Sequence, residues 1–154
     1  MRLNPSGEKM IDKSGSVLSP GKKAQRTARW ARTMTKWLIT YSRRRGVKWN
    51  FVEFGGETGS ESRGIVDLVA IRKDHKANRS SLKRGDLFDI VLIQTKGGRA
   101  KSPSTSDIGR LRCVAAFHRA KAVVLAEWKK GKSPELYQLK NKTWFAVKLE
   151  DIFG

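Results

Sequence analysis

Apolar side chains in residues 22–45 recur at the spacing of an α-helix. They fall at positions i, i+4, i+7, i+8 and i+11, which places them along one side of a helix. The members of this stripe are Trp30, Met34, Trp37, Leu38 and Tyr41. Aromatic residues at helical spacing usually belong to a core, so we expect the stripe to pack against the rest of the protein. Gly46 is the expected end of the helix.

The rest of the chain alternates apolar segments of strand length with polar connections. Three strands are predicted first, then a helix that begins in residues 103–107 and runs to about residue 118, and finally a strand and a terminal hairpin. The predicted strands cover residues 47–54, 65–71, 87–94, 122–126, 135–139 and 143–149. The strand–helix–strand passage requires a crossover, which favours a mixed sheet. We therefore expect an α/β fold, with a mixed central sheet flanked by helices in the order αβββαβ and a C-terminal β-hairpin.

The chain of 154 residues has the length of a single domain. Residues 1–21 are rich in Ser, Gly, Pro and Lys and predict a flexible basic tail, which leaves residues 22–154 as one folded domain. Cys113 is the single cysteine, so the sequence predicts neither an internal disulfide nor a typical zinc cluster. It also contains no apolar run of membrane-spanning length and no apolar secretory segment near its first residue. We expect a cytoplasmic protein that does not enter a membrane.

The charge balance is strongly positive. Lys and Arg number 33 against 14 Asp and Glu, which gives a net charge of +19, and no acidic residue occurs between Lys13 and Val52. Such an excess calls for a polyanionic partner, of which nucleic acid is the commonest. The expected phosphate contacts come from the first helix and the segment after it: Arg26, Arg29, Arg32, Lys36, Arg43, Arg44 and Arg45. The tryptophans of the stripe could instead stack on bases, although a core position is the favoured interpretation.

Polar residues interrupt two of the apolar strands. Asp67 lies in the strand of residues 65–71, where burying a carboxylate is costly unless a cation or a donor compensates it. Gln94 and Lys96 are two residues apart at the end of the next strand, so their side chains share a face. Each residue taken singly is more often part of a structural ion pair. Together, a carboxylate and an ammonium group can hold and activate a water molecule.

An Asp in one strand and Gln-x-Lys at the end of the next, within an αβββαβ order, resembles the core of the PD-(D/E)XK nucleases, a restriction-endonuclease-like fold. The resemblance covers residues 22–126. Within that superfamily, the segment GSESRGIVDLVAI at residues 59–71 is similar to archaeal-type Holliday junction resolvases and to the R-G-x-x-D segment of virus-type replication-repair nucleases. The run LIQTKGG resembles the variant in which Gln replaces the second acid.

This resemblance implies a divalent-metal-dependent endonuclease that hydrolyses DNA phosphodiester bonds, including those of branched or junction DNA. Asp67 would bind Mg²⁺ or Mn²⁺ together with the side-chain oxygen of Gln94 and the carbonyl of Thr95, and Lys96 would orient or polarise the attacking water. Ser60, Ser62 and Arg63 would contact nucleic acid from the loop before the Asp67 strand. DNA is expected rather than RNA, because the chain lacks the aromatic strand motif of the common single-stranded RNA modules.

The sequence departs from the family pattern in two ways. The first helix contains no acidic residue, so another Glu must complete the site; Glu53 on a predicted strand is preferred over Glu57 and Glu61 in the loop. Gln94 carries no charge, which lowers the expected metal affinity and leaves open a non-catalytic nucleic-acid-binding protein of the same fold.

A homodimer would suit a nuclease that cuts two strands. Its expected interface lies at the terminal strands, where three large apolar residues exceed what the core needs: Trp144, Phe145 and Phe153.

Overall fold

A six-stranded mixed sheet forms the centre of the protein in the computed structural model, which describes residues 20–41, 48–54, 64–76 and 81–154. The strands are β1 (Asn50–Glu53), β2 (Leu68–Lys73), β3 (Phe88–Gly97), β4 (Ala122–Trp128), β5 (Glu135–Lys140) and β6 (Thr143–Val147). They are neighbours in that order, with β3 and β4 parallel and the other pairs antiparallel. The helices are α1 (Pro20–Tyr41), α2 (Thr105–Phe117) and α3 (Leu149–Phe153).

The element order confirms the predicted α/β fold with a mixed sheet and a C-terminal hairpin, while α3 was not predicted. α1 begins at Pro20, inside the segment that the sequence assigned to a tail, and the rest of that tail lies outside the described residues. The predicted helix end at Gly46 also falls outside them. No helix in the described part of the chain combines the length and apolar character needed to cross a membrane.

The helices cover the two faces of the sheet. One core cluster joins Ile39 of α1 and Ile152 and Phe153 of α3 to one face of the strands. A second joins Leu111 of α2 to Leu92 and neighbouring apolar residues on the opposite face. β4 lies between both clusters, and all of residues 122–126 are buried, as expected for a continuous apolar strand.

The aromatic members of the predicted stripe lie outside the buried face of α1, whereas Leu38 packs against the core. Trp30, Trp37 and Tyr41 are 46%, 56% and 70% exposed, while Ala31 and Thr35 are fully buried. The expectation that the aromatic rings belong to the core is therefore wrong. Small residues face the sheet where α1 crosses the end of β3, because the helix approaches too closely there for large side chains, and Ile39 fills the core farther along the helix.

The close approach occurs at Gly97, the last residue of β3. A Cβ atom at this position would lie 2.9 Å from the Thr27 carbonyl oxygen and 3.2 Å from the Ala31 Cβ. The Thr27 hydroxyl donates to the Lys23 carbonyl at 2.9 Å, and the Thr35 hydroxyl to the Ala31 carbonyl at 2.7 Å, so both hydroxyls are satisfied within the helix.

An ion pair holds β1 to α1. Arg32 is 3% exposed, and its Nε lies 2.7 Å from Oε1 of Glu53, while Nζ of Lys36 lies 2.5 Å from Oε2. Burial by itself would raise the pKa of the Glu53 carboxyl, but hydrogen bonds from Lys36 and Arg32 outweigh burial and hold that pKa below its usual value. A buried guanidinium requires such a partner.

The C-terminal residues pack into the core. The Trp49 indole N–H donates to the Phe153 carbonyl at 2.9 Å, and the two rings meet edge to face. The guanidinium of Arg72 lies over the Trp49 ring and pairs with Asp89, its register partner in β3, at 3.0 Å.

These contacts remove support for the predicted dimer surface. Phe153 is 3% exposed and Trp144 packs against the cluster beneath α2. Of the three residues assigned to that surface, Phe145 alone is largely exposed.

We expect Gly97→Ala to lower the free energy of unfolding by about 1–3 kcal/mol, because the added methyl group meets α1 backbone that cannot move aside freely. Gly109→Ala in α2 is the matched control: a Cβ there meets no atom within 4 Å, and alanine favours a helix. Urea denaturation measures both variants. Equal stabilities for the two would contradict a tight contact at Gly97.

Glu53→Gln should lower the free energy of unfolding at neutral pH by about 1–3 kcal/mol, because Arg32 then lies buried beside a neutral partner. The lowered pKa of Glu53 means that the ion pair stabilises the fold above the unfolded-state pKa and is lost as pH falls through the folded-state pKa. The difference between wild type and variant should therefore shrink below about pH 4. Denaturation at neutral and acidic pH tests this, with the exposed Glu150→Gln as control. A difference that stays constant down to pH 3 would contradict the assignment.

Candidate active site

Asp67 lies one residue before β2 begins. Its backbone N–H donates to the Ile93 carbonyl of β3 at 3.0 Å, and its own carbonyl accepts from the Phe54 N–H at 3.0 Å. The residue is thereby held between the end of β1 and the second half of β3. The sequence placed Asp67 inside a strand that begins at residue 65, whereas β2 starts at Leu68.

The Asp67 carboxylate joins the two halves of the predicted motif. Its Oδ2 accepts a hydrogen bond from the Thr95 backbone N–H at 2.8 Å and lies 3.3 Å from the Thr95 hydroxyl. Thr95 is the central residue of Gln94-Thr95-Lys96, so a contact across 28 positions of sequence brings the Asp to the Gln-x-Lys segment.

Gln94 and Lys96 lie on the face of β3 that carries Leu92, which is the face covered by α2. Both residues are partly buried. Oε1 of Gln94 is buried and has no hydrogen-bond partner within the described ranges. A buried amide oxygen without a donor costs about 1–3 kcal/mol, so this atom is suited to a donor or a cation.

Lys96 forms an ion pair that the sequence analysis missed. Its Nζ lies 3.4 Å from Oε1 of Glu127, and Nζ of Lys129 lies 3.9 Å from the same oxygen. Lys96 and Glu127 are register partners across the parallel β3–β4 pair. The run AVVLAEW carries a signal that would have indicated Glu127, because the carboxyl ends of parallel strands meet at one edge of a sheet.

Glu53 does not join this group. It pairs in register with Leu68, which places it on the face covered by α1, and both of its oxygens bind cations of that helix. Gln94 and Lys96 occupy the opposite face. The prediction that Glu53 completes a metal site is therefore corrected. Its carboxylate neutralises Arg32 and Lys36 instead.

The predicted phosphate-binding residues of α1 differ in their exposure. Arg26 and Arg29 are exposed, as a phosphate contact requires. Arg32 is buried against Glu53 and is not placed to bind nucleic acid, and Lys36 is half-buried in the same ion pair. The remaining predicted contacts fall outside the residues that the structure describes: Arg43, Arg44, Arg45, Ser60, Ser62 and Arg63.

The arrangement brings the Asp67 carboxylate, just before the amino end of β2, next to the carboxyl end of β3, where Gln94 and Lys96 lie. Glu127 and Lys129 approach from the end of β4. Within residues 20–41, 48–54, 64–76 and 81–154, no group of three or more His, Cys, Asp or Glu side chains is placed to hold a metal ion. No protein-family model matches this chain, and no curated protein is significantly similar to it.

Proposed function

We propose that this chain is a divalent-metal-dependent endonuclease that hydrolyses DNA phosphodiester bonds, with a PD-(D/E)XK-type site at Asp67, Gln94 and Lys96. The observation that carries the proposal is the hydrogen bond from the Thr95 N–H to the Asp67 carboxylate. It joins two segments that are distant in sequence and fixes the Asp67 carboxylate beside Gln94-Thr95-Lys96.

The donor set fits a hard divalent cation that needs few charged protein ligands. The Asp67 carboxylate, the Gln94 side-chain oxygen and the Thr95 carbonyl are the groups that would hold it, and Mg²⁺ and Mn²⁺ prefer oxygen ligands. The orphaned Oε1 of Gln94 supports this fit, since a cation would satisfy it. When bound, such a cation supplies Lewis-acid polarisation of the phosphate and lowers the pKa of a bound water.

We assign to Lys96 the role of orienting the attacking water or binding the phosphate. Its ammonium group can donate hydrogen bonds to either, and the ion pair with Glu127 restricts where that group lies. Glu127 thus acts as a positioning residue. The side chains of Lys96 and Glu127 are 16% and 19% exposed, so the pair is only weakly screened by solvent.

A nucleic-acid-binding protein without catalysis is the second candidate. The proposed donor set contains a single carboxylate, fewer than the family pattern has, and the described residues hold no cluster of three metal-ligating side chains. The net charge of +19 supports binding to phosphates under either proposal.

Asp67→Asn should reduce metal-dependent DNA cleavage by about 100-fold or more, because the variant loses the one charged ligand but keeps an acceptor for the Thr95 N–H. The assay uses Mg²⁺ or Mn²⁺ with linear duplex, single-stranded and four-way-junction DNA, and thermal melting confirms that the variant folds. Glu150→Gln, which removes an exposed acid elsewhere, should cut normally. If wild type binds these substrates but cuts none of them, the binding proposal replaces the nuclease.

Glu127→Gln should lower kcat by about tenfold with little change in KM, because Lys96 loses the partner that orients it. Lys129→Gln is the matched control, since Lys129 contacts the same oxygen at longer range and is 62% exposed. A parallel loss in both variants, or a change confined to KM, would count against a positioning role for Glu127.

A further inference from the structure

The outer surface of α1 carries an exposed aromatic stripe, which we define as Trp30, Trp37 and Tyr41. Their side chains are about half to two-thirds exposed, and the rings of Trp37 and Tyr41 lie 4.8 Å apart at a tilted angle. With a rise of about 1.5 Å per residue, Trp30 lies roughly 10 Å from Trp37 along the helix axis. Several large aromatic side chains exposed on one side of a helix are unusual for a monomer surface and indicate a binding face.

Exposed basic residues precede this stripe on the same helix. Lys22, Arg26 and Arg29 are exposed. At 3.6 residues per turn, Arg26 precedes Trp30 by about one turn, and Lys22 and Arg29 form a line about a quarter of a turn to the side. Residues 20–41 contain no acidic residue, so no acid of α1 itself lies among these cations, while Lys36 farther along the helix is paired with Glu53 of β1.

We propose that the aromatic stripe is a stacking site for unpaired nucleic-acid bases, with the adjacent basic line binding the phosphates of the same strand. Single-strand binding proteins combine these two features, because every base offers a π face while the backbone requires positive charge. The sugar–phosphate chain would run along the basic line, and its bases would lie on the rings.

Charge complementarity selects a nucleic-acid strand as the occupant. A second copy of this chain would bring a net charge of +19 against the same basic helix, which opposes association through this face. A paired duplex keeps its bases stacked on one another and would offer the aromatic rings no free base face.

α1 packs across the end of β3, although the Gln94 and Lys96 side chains project from the opposite face of that strand. Thr27 contacts Gly97, the residue directly after Lys96, so the N-terminal half of the helix lies over the end of β3. The inference rests on the proposed function in one respect: it assigns to that nuclease a substrate with unpaired bases, such as a single strand or a branch point.

Binding is measured without metal, in the presence of a chelator, so that it does not depend on cleavage. The probes are a fluorescein-labelled DNA single strand of about 20 nucleotides and the duplex of the same length. The test variant is Trp30→Ala/Trp37→Ala, and the conservative variant is Trp30→Phe/Trp37→Phe. Phe117→Ala in α2 is the matched control, because Phe117 is 83% exposed but lies on another helix.

Trp30→Ala/Trp37→Ala should weaken single-strand binding about tenfold or more, while duplex binding, which depends on phosphate charge, changes little. The phenylalanine variant should retain most of the affinity, and Phe117→Ala all of it. Unchanged single-strand affinity in the alanine variant would overturn the proposal, as would an equal loss for both probes. A shift from dimer to monomer with unchanged affinity would overturn it in favour of a contact between copies.

The nuclease proposal and the stacking proposal can be refuted independently of each other. Loss of stacking in this metal-free assay leaves the cleavage test of Asp67→Asn unaffected, and absence of cleavage leaves single-strand binding measurable.

Discussion

The parallel pairing of β3 with β4 is the constraint on which the rest of the structure depends. Parallel neighbours cannot be joined by a tight turn, so the chain must cross over the sheet, and α2 forms that crossover. The pairing also brings the carboxyl ends of both strands to one edge. Lys96 and Glu127 meet there as register partners, and Gly97 ends β3 where α1 passes over it.

Burying polar groups at this edge of the sheet costs free energy, which apolar burial elsewhere in the fold offsets. Oε1 of Gln94 is buried and has no donor among the residues that the structure describes, and the Asp67 carboxylate accepts a hydrogen bond from the backbone of β3. The core clusters on either side of the sheet supply the apolar burial that tolerates these groups. Under the proposed function, this buried oxygen and the Asp67 carboxylate would be held in place by β3 before a cation binds.

α1 presents two different surfaces for one physical reason. At Gly97 its contact with β3 is so close that only small side chains such as Ala31 fit there, whereas Ile39 farther along is buried against the sheet. The large aromatic residues are consequently displaced to the outer surface, beside the exposed arginines. Arg32 and Lys36 are exceptions among the basic residues, because Glu53 neutralises them where α1 meets β1.

The sequence by itself determined the order and type of the elements, the mixed sheet and the burial of β4, because hydrophobic periodicity depends on residues that are close in the chain. It also identified Asp67, Gln94 and Lys96 as polar residues within apolar segments. The tertiary structure decided which face of α1 is buried, since both faces carry apolar residues and the choice depends on the contact with Gly97. It likewise decided that Glu53 pairs with α1 and that Glu127 pairs with Lys96. Those pairings follow from strand register and helix packing between distant segments, which local sequence patterns do not encode.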